Sequence, residues 1–251
     1  MRSDITNTVP SELYDEDYFL TACEGYAEFK SSAGEYLSRR LEEALRVAGV
    51  AANMRILDVG CGRGEILRHI RQLGAQPFGV DYAAVAVRIS RQVMLAEQED
   101  TIHVQQANAR QLPFPAATFD RVLMLDIVEH LYPPELAEAL AEAYRVLKPG
   151  GRLIVHTAPN VWYDRYAYRG VRLVRRWLGQ GADYPRNPRA FLVPENVRVH
   201  VNEQSGLSLW RNLRRAKFTQ MRVWLSTPEQ HRRENLLFRG LRVILFDWWP
   251  F

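Results

Sequence analysis

The chain has 251 residues, 47% of them hydrophobic and 25% charged. This argues against a disordered chain and allows one α/β domain with a cap or C-terminal extension. The formal charge of +4 hides an asymmetry: residues 1–159 hold 16 Lys+Arg against 22 Asp+Glu, and residues 160–251 hold 17 against 7, with 16 of those 17 being arginine.

Residues 10–22 read as a loop or short helix carrying Tyr14, Tyr18 and Phe19. A helical pattern covers about 25–48 and ends at Gly49. Strand 54–59 opens an alternation, followed by a helix at about 64–73 closed by Gly74. Strand 77–80 ends at Asp81, a helix spans about 84–97, and strand 101–105 precedes the loop Leu112-Pro113-Phe114-Pro115. Strand 119–125 is a nearly continuous apolar run, as a strand buried on both faces would be. Pro133-Pro134 opens a helix of about 134–147, Lys148-Pro149-Gly150-Gly151 is a turn, and strand 152–157 follows. Residues 161–200 are rich in Trp, Tyr, Arg and Pro, with a short helical stretch near 167–178. Ser205 is the N-cap of a helix running to Ala216. Strand 218–225 and an apolar tail, Leu236 to Phe251, close the chain. The alternation predicts an α/β, Rossmann-like, doubly wound sheet, seven-stranded and mostly parallel with an antiparallel last strand, and helices on both faces. The expected organisation is a helical cap at 1–49, a cofactor-binding core at 50–160, an insertion or lid at 161–200 and completion of the sheet by 201–251.

The most informative segment is Ile56-Leu57-Asp58-Val59-Gly60-Cys61-Gly62-Arg63-Gly64. An apolar strand enters a glycine turn and a helix follows, the makings of a nucleotide pocket. The spacing is G-x-G-x-G rather than the dinucleotide G-x-G-x-x-G. Asp58 would repel a pyrophosphate. It suits a ligand bearing a sulfonium and an ammonium, such as S-adenosylmethionine (SAM).

This segment resembles motif I of the class I SAM-dependent methyltransferases. Phe78-Gly79-Val80-Asp81 resembles that family's second strand, whose terminal acid holds the ribose hydroxyls. Asn108-Ala109 resembles its adenine segment, Phe119-Asp120-Arg121-Val122 its fourth strand, and Leu147-Lys148-Pro149-Gly150-Gly151 the turn before its fifth. The resemblance covers roughly residues 50–225. It implies SAM as cofactor, held by Asp58, Gly60, Cys61, Gly62, Gly64, Asp81, Tyr82, Asn108, Ala109 and Asp126.

Asp126-Ile127-Val128-Glu129-His130 places two acids and an imidazole at positions i, i+3 and i+4, which share one face if the turn is helical. The run resembles the Glu-x-x-Glu-His group of the ubiquinone-type O-methyltransferases and of small-RNA ribose 2′-O-methyltransferases, which add a later histidine where His200 stands. That implies a divalent metal on Asp126, Glu129, His130 and His200, of the Mn²⁺, Fe²⁺ or Zn²⁺ type rather than Mg²⁺. The metal-free alternative stays open, with His130 or His200 as a general base. His156 reads as a strand residue with a structural hydrogen bond.

The sequence therefore reads as a SAM-dependent enzyme methylating an oxygen, or less readily a nitrogen, of a small-molecule, glycan or lipid-linked acceptor. The alternatives are an RNA methyltransferase using the basic C-terminal half and a non-catalytic SAM-binding protein. No RNA-binding module is recognisable, so nucleic acid ranks below a small acceptor. Arg165, Arg169, Arg172 and Arg176 form one basic helical face, suited to a diphosphate-linked lipid, an anionic membrane or RNA. The run Leu241–Trp249 reads as a last strand or an interfacial anchor. Cys23 and Cys61 lack disulfide or metal spacing. A cytoplasmic location follows from them and from the absence of an apolar leader, with peripheral membrane contact left open. The oligomeric state is not legible.

Overall fold

Strand β1, Arg55–Val59, lies at the centre of a parallel sheet. The computed structural model describes residues 8–23, 25–96, 103–157, 161, 163–187, 190 and 194–224. Among these, β2 is Gln76–Asp81, β3 Val104–Gln106, β4 Phe119–Leu125 and β5 Leu147–His156. The order is β3-β2-β1-β4-β5, and every pairing is parallel. Connections from β1 run to opposite sides at β2 and β4. The crevice above the carboxyl ends of these strands is where ligands bind in such sheets.

Alternation along the strands builds two cores. Leu57, Val59, Val80, Phe119, Val122 and Met124 face α5 (Pro133–Val146) and α8 (Gly206–Arg215). Ile56, Leu123, Leu125 and Ile154 face the other way. They pack with α2 (Arg39–Ala48), α3 (Glu65–Gln72) and α4 (Ala84–Ala96). The helix ends follow local chemistry. Gly49 closes α2 at φ 58°, donating its N–H to Leu45 O. Tyr132 N–H donates to Glu135 Oε2 at the start of α5. Ser205 Oγ accepts from Ser208 N–H at the start of α8, as its N-cap position predicts.

Three expectations are corrected. The helical pattern over 25–48 is two helices, α1 (Tyr26–Ser32) and α2, because Ala33 and Gly34 both take positive φ and turn the chain. Among the described residues the sheet has five strands, all parallel, and not seven with an antiparallel last strand. Residues 218–224 form no strand: Lys217 turns at φ 73°, and Phe218 and Met221 pack irregularly against the first core. Lys148–Gly151 is an irregularity inside β5, with a register shift opposite Phe119 and Arg121, rather than a turn before it. The tail from 225, including Leu241–Trp249, lies outside the described residues. The insertion carries α6 (Tyr168–Trp177) and α7 (Pro194–Val199). No helix among the described residues is long and apolar enough to cross a membrane.

Candidate active site

The turn after β1 is shaped by glycine. Gly60, Gly62 and Gly64 adopt φ of 79°, 50° and 82°, a region costly for residues with a Cβ. Gly60 and Cys61 N–H both donate to Val80 O, tying the turn to β2. Gly62 N–H donates to Asp81 Oδ2 at 3.0 Å, and Ala83 N–H to Oδ1 at 2.9 Å. Gly64 has a different task from its neighbours. A Cβ there would come within 2.9 Å of Ser90 Cα, so Gly64 lets α3 meet α4; it does not line the cavity, whereas Gly60, Cys61 and Gly62 do.

That cavity, of about 300 Å³, lies over the carboxyl ends of β1, β2 and β4. Asp58, Asp81, Tyr82, Asn108, Ala109 and Asp126 all reach its wall. Asp58 is buried, and its Oδ1 has no hydrogen-bond partner. Burial, then the nearby Asp81 and Glu65 carboxylates, push its carboxyl up to about 8 against the pull of Arg40. Burial raises Asp81 to about 6, opposed by the backbone N–H groups of Ala83, Gly62 and Tyr82. A buried, unpartnered carboxylate oxygen beside a glycine turn fits the ammonium of SAM, and Asp81 at the end of β2 fits two ribose hydroxyls. Asn108 Oδ1 already accepts Arg110 N–H at 3.0 Å, so one lone pair remains for an adenine amino group.

The chain before β1 closes the cavity. Arg63, buried inside the glycine turn, donates to Phe19 O at 2.8 Å and Cys23 O at 3.3 Å, and pairs with Glu65 at 2.9 Å. Phe29 stacks on its guanidinium. Thr8 donates to Glu135 at 2.7 Å. Arg40 of α2 reaches the cavity wall and pairs with Asp126. Sequence reasoning missed Arg63, Arg40 and Tyr14. Only Arg63 had a signal, its place between two glycines.

Beyond the end of β4, Val128–His130 is a short 3₁₀ turn. Ligating atoms of Glu129, His130 and His200 all lie within 4.8 Å of one another. Glu129 is buried; its Oε2 accepts from Thr157 Oγ1 at 2.8 Å, and its backbone O accepts from Val201 and Asn202 N–H. These last bonds bring His200 across from the insertion. The His130 and His200 rings meet edge to face at 4.9 Å, and Tyr14 Oη lies 3.1 Å from His130 Nδ1. Burial, then the neighbouring His200, push His130 down to about 3, so its imidazole is neutral at physiological pH. That is the state a metal ligand needs and a weak proton acceptor.

Asp126 stands apart from this cluster. It takes φ 54°, so the helical turn assumed from its spacing does not start there. Its carboxylate accepts from His156 Nδ1 and pairs with Arg40. Burial raises its pKa, but Arg40 and His156 outweigh that and hold the group below its ordinary value. His156 thus makes the structural hydrogen bond its strand position suggested.

A parallel sheet with a glycine turn, a ribose-binding acid and an unpartnered buried acid at its switch point defines an enzyme of the nucleoside-cofactor-binding α/β class. Residues 57–155 match a family model described as a methyltransferase domain. A ubiquinone biosynthesis O-methyltransferase of Rhodopseudomonas palustris is 28% identical over 177 residues, 67% of each chain. The YcgJ protein of Bacillus subtilis is 26% identical, with a TM-score of 0.50 over 69% of this chain and 65% of that one. A chain from the complex of the Haloferax volcanii Trm112 methyltransferase activator with a methyltransferase shares the fold over 91% of this chain and 88% of its own, at a TM-score of 0.56 and 18% identity. These likenesses and the geometry of the site support a class I SAM-dependent methyltransferase, with SAM as its cofactor.

Proposed function

We propose that this enzyme methylates an oxygen of a small-molecule, glycan or lipid-linked acceptor with the help of a divalent cation. The observation that carries the reading is the convergence of Glu129, His130 and His200 within 4.8 Å on the wall of the SAM cavity. One carboxylate and two imidazoles suit Mn²⁺, Fe²⁺ or Zn²⁺ better than Mg²⁺. Such an ion supplies charge that lowers an acceptor hydroxyl's pKa and orients it. Thr157 fixes the Glu129 carboxylate, and Tyr14 fixes the His130 ring. Asp126 belongs to the SAM side of the cavity, since a guanidinium on its carboxylate opposes ligation.

SAM supplies an electrophilic methyl group when bound. The residues of the cavity wall would hold it by charge: Asp58 would take its ammonium, Arg40 its carboxylate and Asp81 its ribose hydroxyls. The cap and the insertion exclude water and hold the acceptor oxygen in line, a requirement of the displacement. The test is a chelator. Activity should fall and return with Mn²⁺ or Zn²⁺ while SAM binding by calorimetry is unchanged. His200→Ala should lower kcat by at least ~10-fold, the lower end of the cost of losing even a group that only supports a metal ligand, with SAM affinity intact. Chelator-insensitive activity rising with pH near the histidine range would replace the metal by a simple base.

A further inference from the structure

The cap before β1 reaches both halves of the cavity. Thr8, Val9, Tyr14, Tyr18, Phe19 and Cys23 all line it. Arg63 ties the cap to the glycine turn through Phe19 O and Cys23 O. The same turn donates Gly62 N–H to Asp81, the acid at the end of β2. The cap also supports both histidines. Tyr14 Oη lies 3.1 Å from His130 Nδ1, and the two rings meet edge to face at 5.7 Å. Tyr18 packs edge to face on Tyr14 at 5.2 Å and steadies the phenol. His200 is reached through its neighbours. Val199 is buried in one apolar cluster with Tyr18, Phe19 and Ala22 of the cap, and Val201 packs against that cluster. Ala83, Ala86 and Ile89, just after Asp81, complete it.

One packed unit therefore joins the roof of the cavity, the chain after the ribose-binding acid and both residues that flank His200. A ligand that touches the cap in its closed position favours that position over any other. Whatever the closed cap holds in place is then favoured with it, since a shared element biased by two sites is what couples them. A phenylalanine at position 14 would fill the same space as tyrosine. The hydroxyl adds one contact only, and it goes to an imidazole whose ring meets that of His200 and whose ligating atoms lie close to those of Glu129.

We propose that the cap couples the two ligand sites of the cavity, with Tyr14 as the positioning residue. SAM closes the cap over itself. The closed cap sets the Tyr14 hydroxyl against His130 and seats Val199 and Val201, so Glu129, His130 and His200 are ordered for a divalent cation. The effect is mutual: the cation tightens SAM by the factor by which SAM tightens the cation. This deepens the proposed function and rests on its metal assignment.

The test is calorimetric titration of Mn²⁺, and separately Zn²⁺, into the full chain, with and without saturating S-adenosylhomocysteine, which is SAM lacking its methyl group. No acceptor is needed. The nucleoside should tighten cation binding by about 5- to 150-fold, the usual range of coupling between two sites. The reverse titration should show the same factor. Tyr14→Phe keeps the ring and removes the contact with His130. It should weaken cation binding by about 10-fold or more, as loss of a group supporting a metal ligand does, and most of the mutual tightening should vanish. Its melting temperature and its metal-free affinity for the nucleoside should match the wild type, which a purely structural role for the hydroxyl would also give, but with the coupling intact. Coupling retained in Tyr14→Phe therefore overturns the proposal. Wild-type cation affinity that ignores the nucleoside overturns it as well and leaves the metal assignment standing. Binding of neither Mn²⁺ nor Zn²⁺ by the wild type, with the nucleoside present, removes the metal assignment and this inference together.

Discussion

Replacing Asp58 by asparagine should make the free protein more stable and the SAM complex weaker. In the free chain Asp58 is buried beside Asp81 and Glu65, with Oδ1 unpartnered and its pKa pushed up to about 8 from an ordinary 3.8. Between those values the folded state binds more protons than the unfolded one, so stability falls as pH rises through the window and levels off above about 8. Asp81, raised to about 6, adds a similar decline over the lower part of the window only. From pH 6 to pH 8 the decline belongs to Asp58, at roughly 1.4 kcal/mol per pH unit and on the order of 2 kcal/mol in all, offset below about pH 7 by His130, whose depressed pKa makes stability rise with pH there. Asp58→Asn removes the charge and sets an amide donor among acceptors, so the variant's stability should no longer fall over that range, and should rise slightly up to about pH 7 through His130. SAM binding should respond the other way. A carboxylate–ammonium hydrogen bond contributes about 1.5–3 kcal/mol, which corresponds to a loss of about 10- to 150-fold in affinity. Urea melts at pH 6 and pH 8 and calorimetric titration of SAM at pH 8 read both quantities. Equal SAM affinity in the variant, or a wild-type stability that rises between pH 6 and pH 8, would refute the assignment of Asp58 to the ammonium and the electrostatic account behind it.

Arg63→Met should destabilise the chain by about 3–5 kcal/mol, the cost of stranding a buried charge, here Glu65, and should loosen the bonds to Phe19 and Cys23. Denaturant melts give the magnitude, and hydrogen exchange in residues 14–23 should accelerate more than in β1; equal acceleration would remove Arg63 from the cap. Gly64→Ala should cost about 1–3 kcal/mol from its positive φ alone, plus the Ser90 clash, with SAM affinity per folded molecule little changed because Gly64 is off the cavity wall. A Gly64→Ala protein that melts like the wild type but binds SAM poorly would reverse that division of labour.

The cofactor half was legible because its signals are local. Apolar runs at 55–59 and 119–125 can be satisfied only inside a sheet, and glycines at 60, 62 and 64 mark a left-handed turn wherever they occur. Parallel register then carries Asp58, Asp81 and Asp126 to one end of adjacent strands with no further information. The Ser205 cap was legible for the same reason, as its partner is three residues away. The half of the site around Glu129 was legible only in part. The three donors Glu129, His130 and His200 do converge, but the helical spacing that seemed to include Asp126 fails because that residue turns left-handed. The break at Ala33-Gly34 and the irregular path after Lys217 are decided by packing against residues far along the chain, so a periodic pattern could not reveal them.

What no local pattern could show is the electrostatic state of the cavity. Asp58 and Asp81 are pushed up and His130 is pushed down, so each of the three is driven toward its neutral form by burial. Asp126 is compensated, between Arg40 from α2 and His156 from β5, as Glu65 is by Arg63. Asp58 and Asp81 have no ion pair among the described residues, although the chain as a whole carries a net charge of +4. A sulfonium and an ammonium entering beside Asp58 would restore charge where burial now suppresses it. This is a physical reason for a cationic ligand to be taken up by this cavity. On this account SAM affinity rises with pH through the range in which Asp58 ionises, and the Arg40–Asp126 pair keeps the neighbouring acid from competing for the same cation.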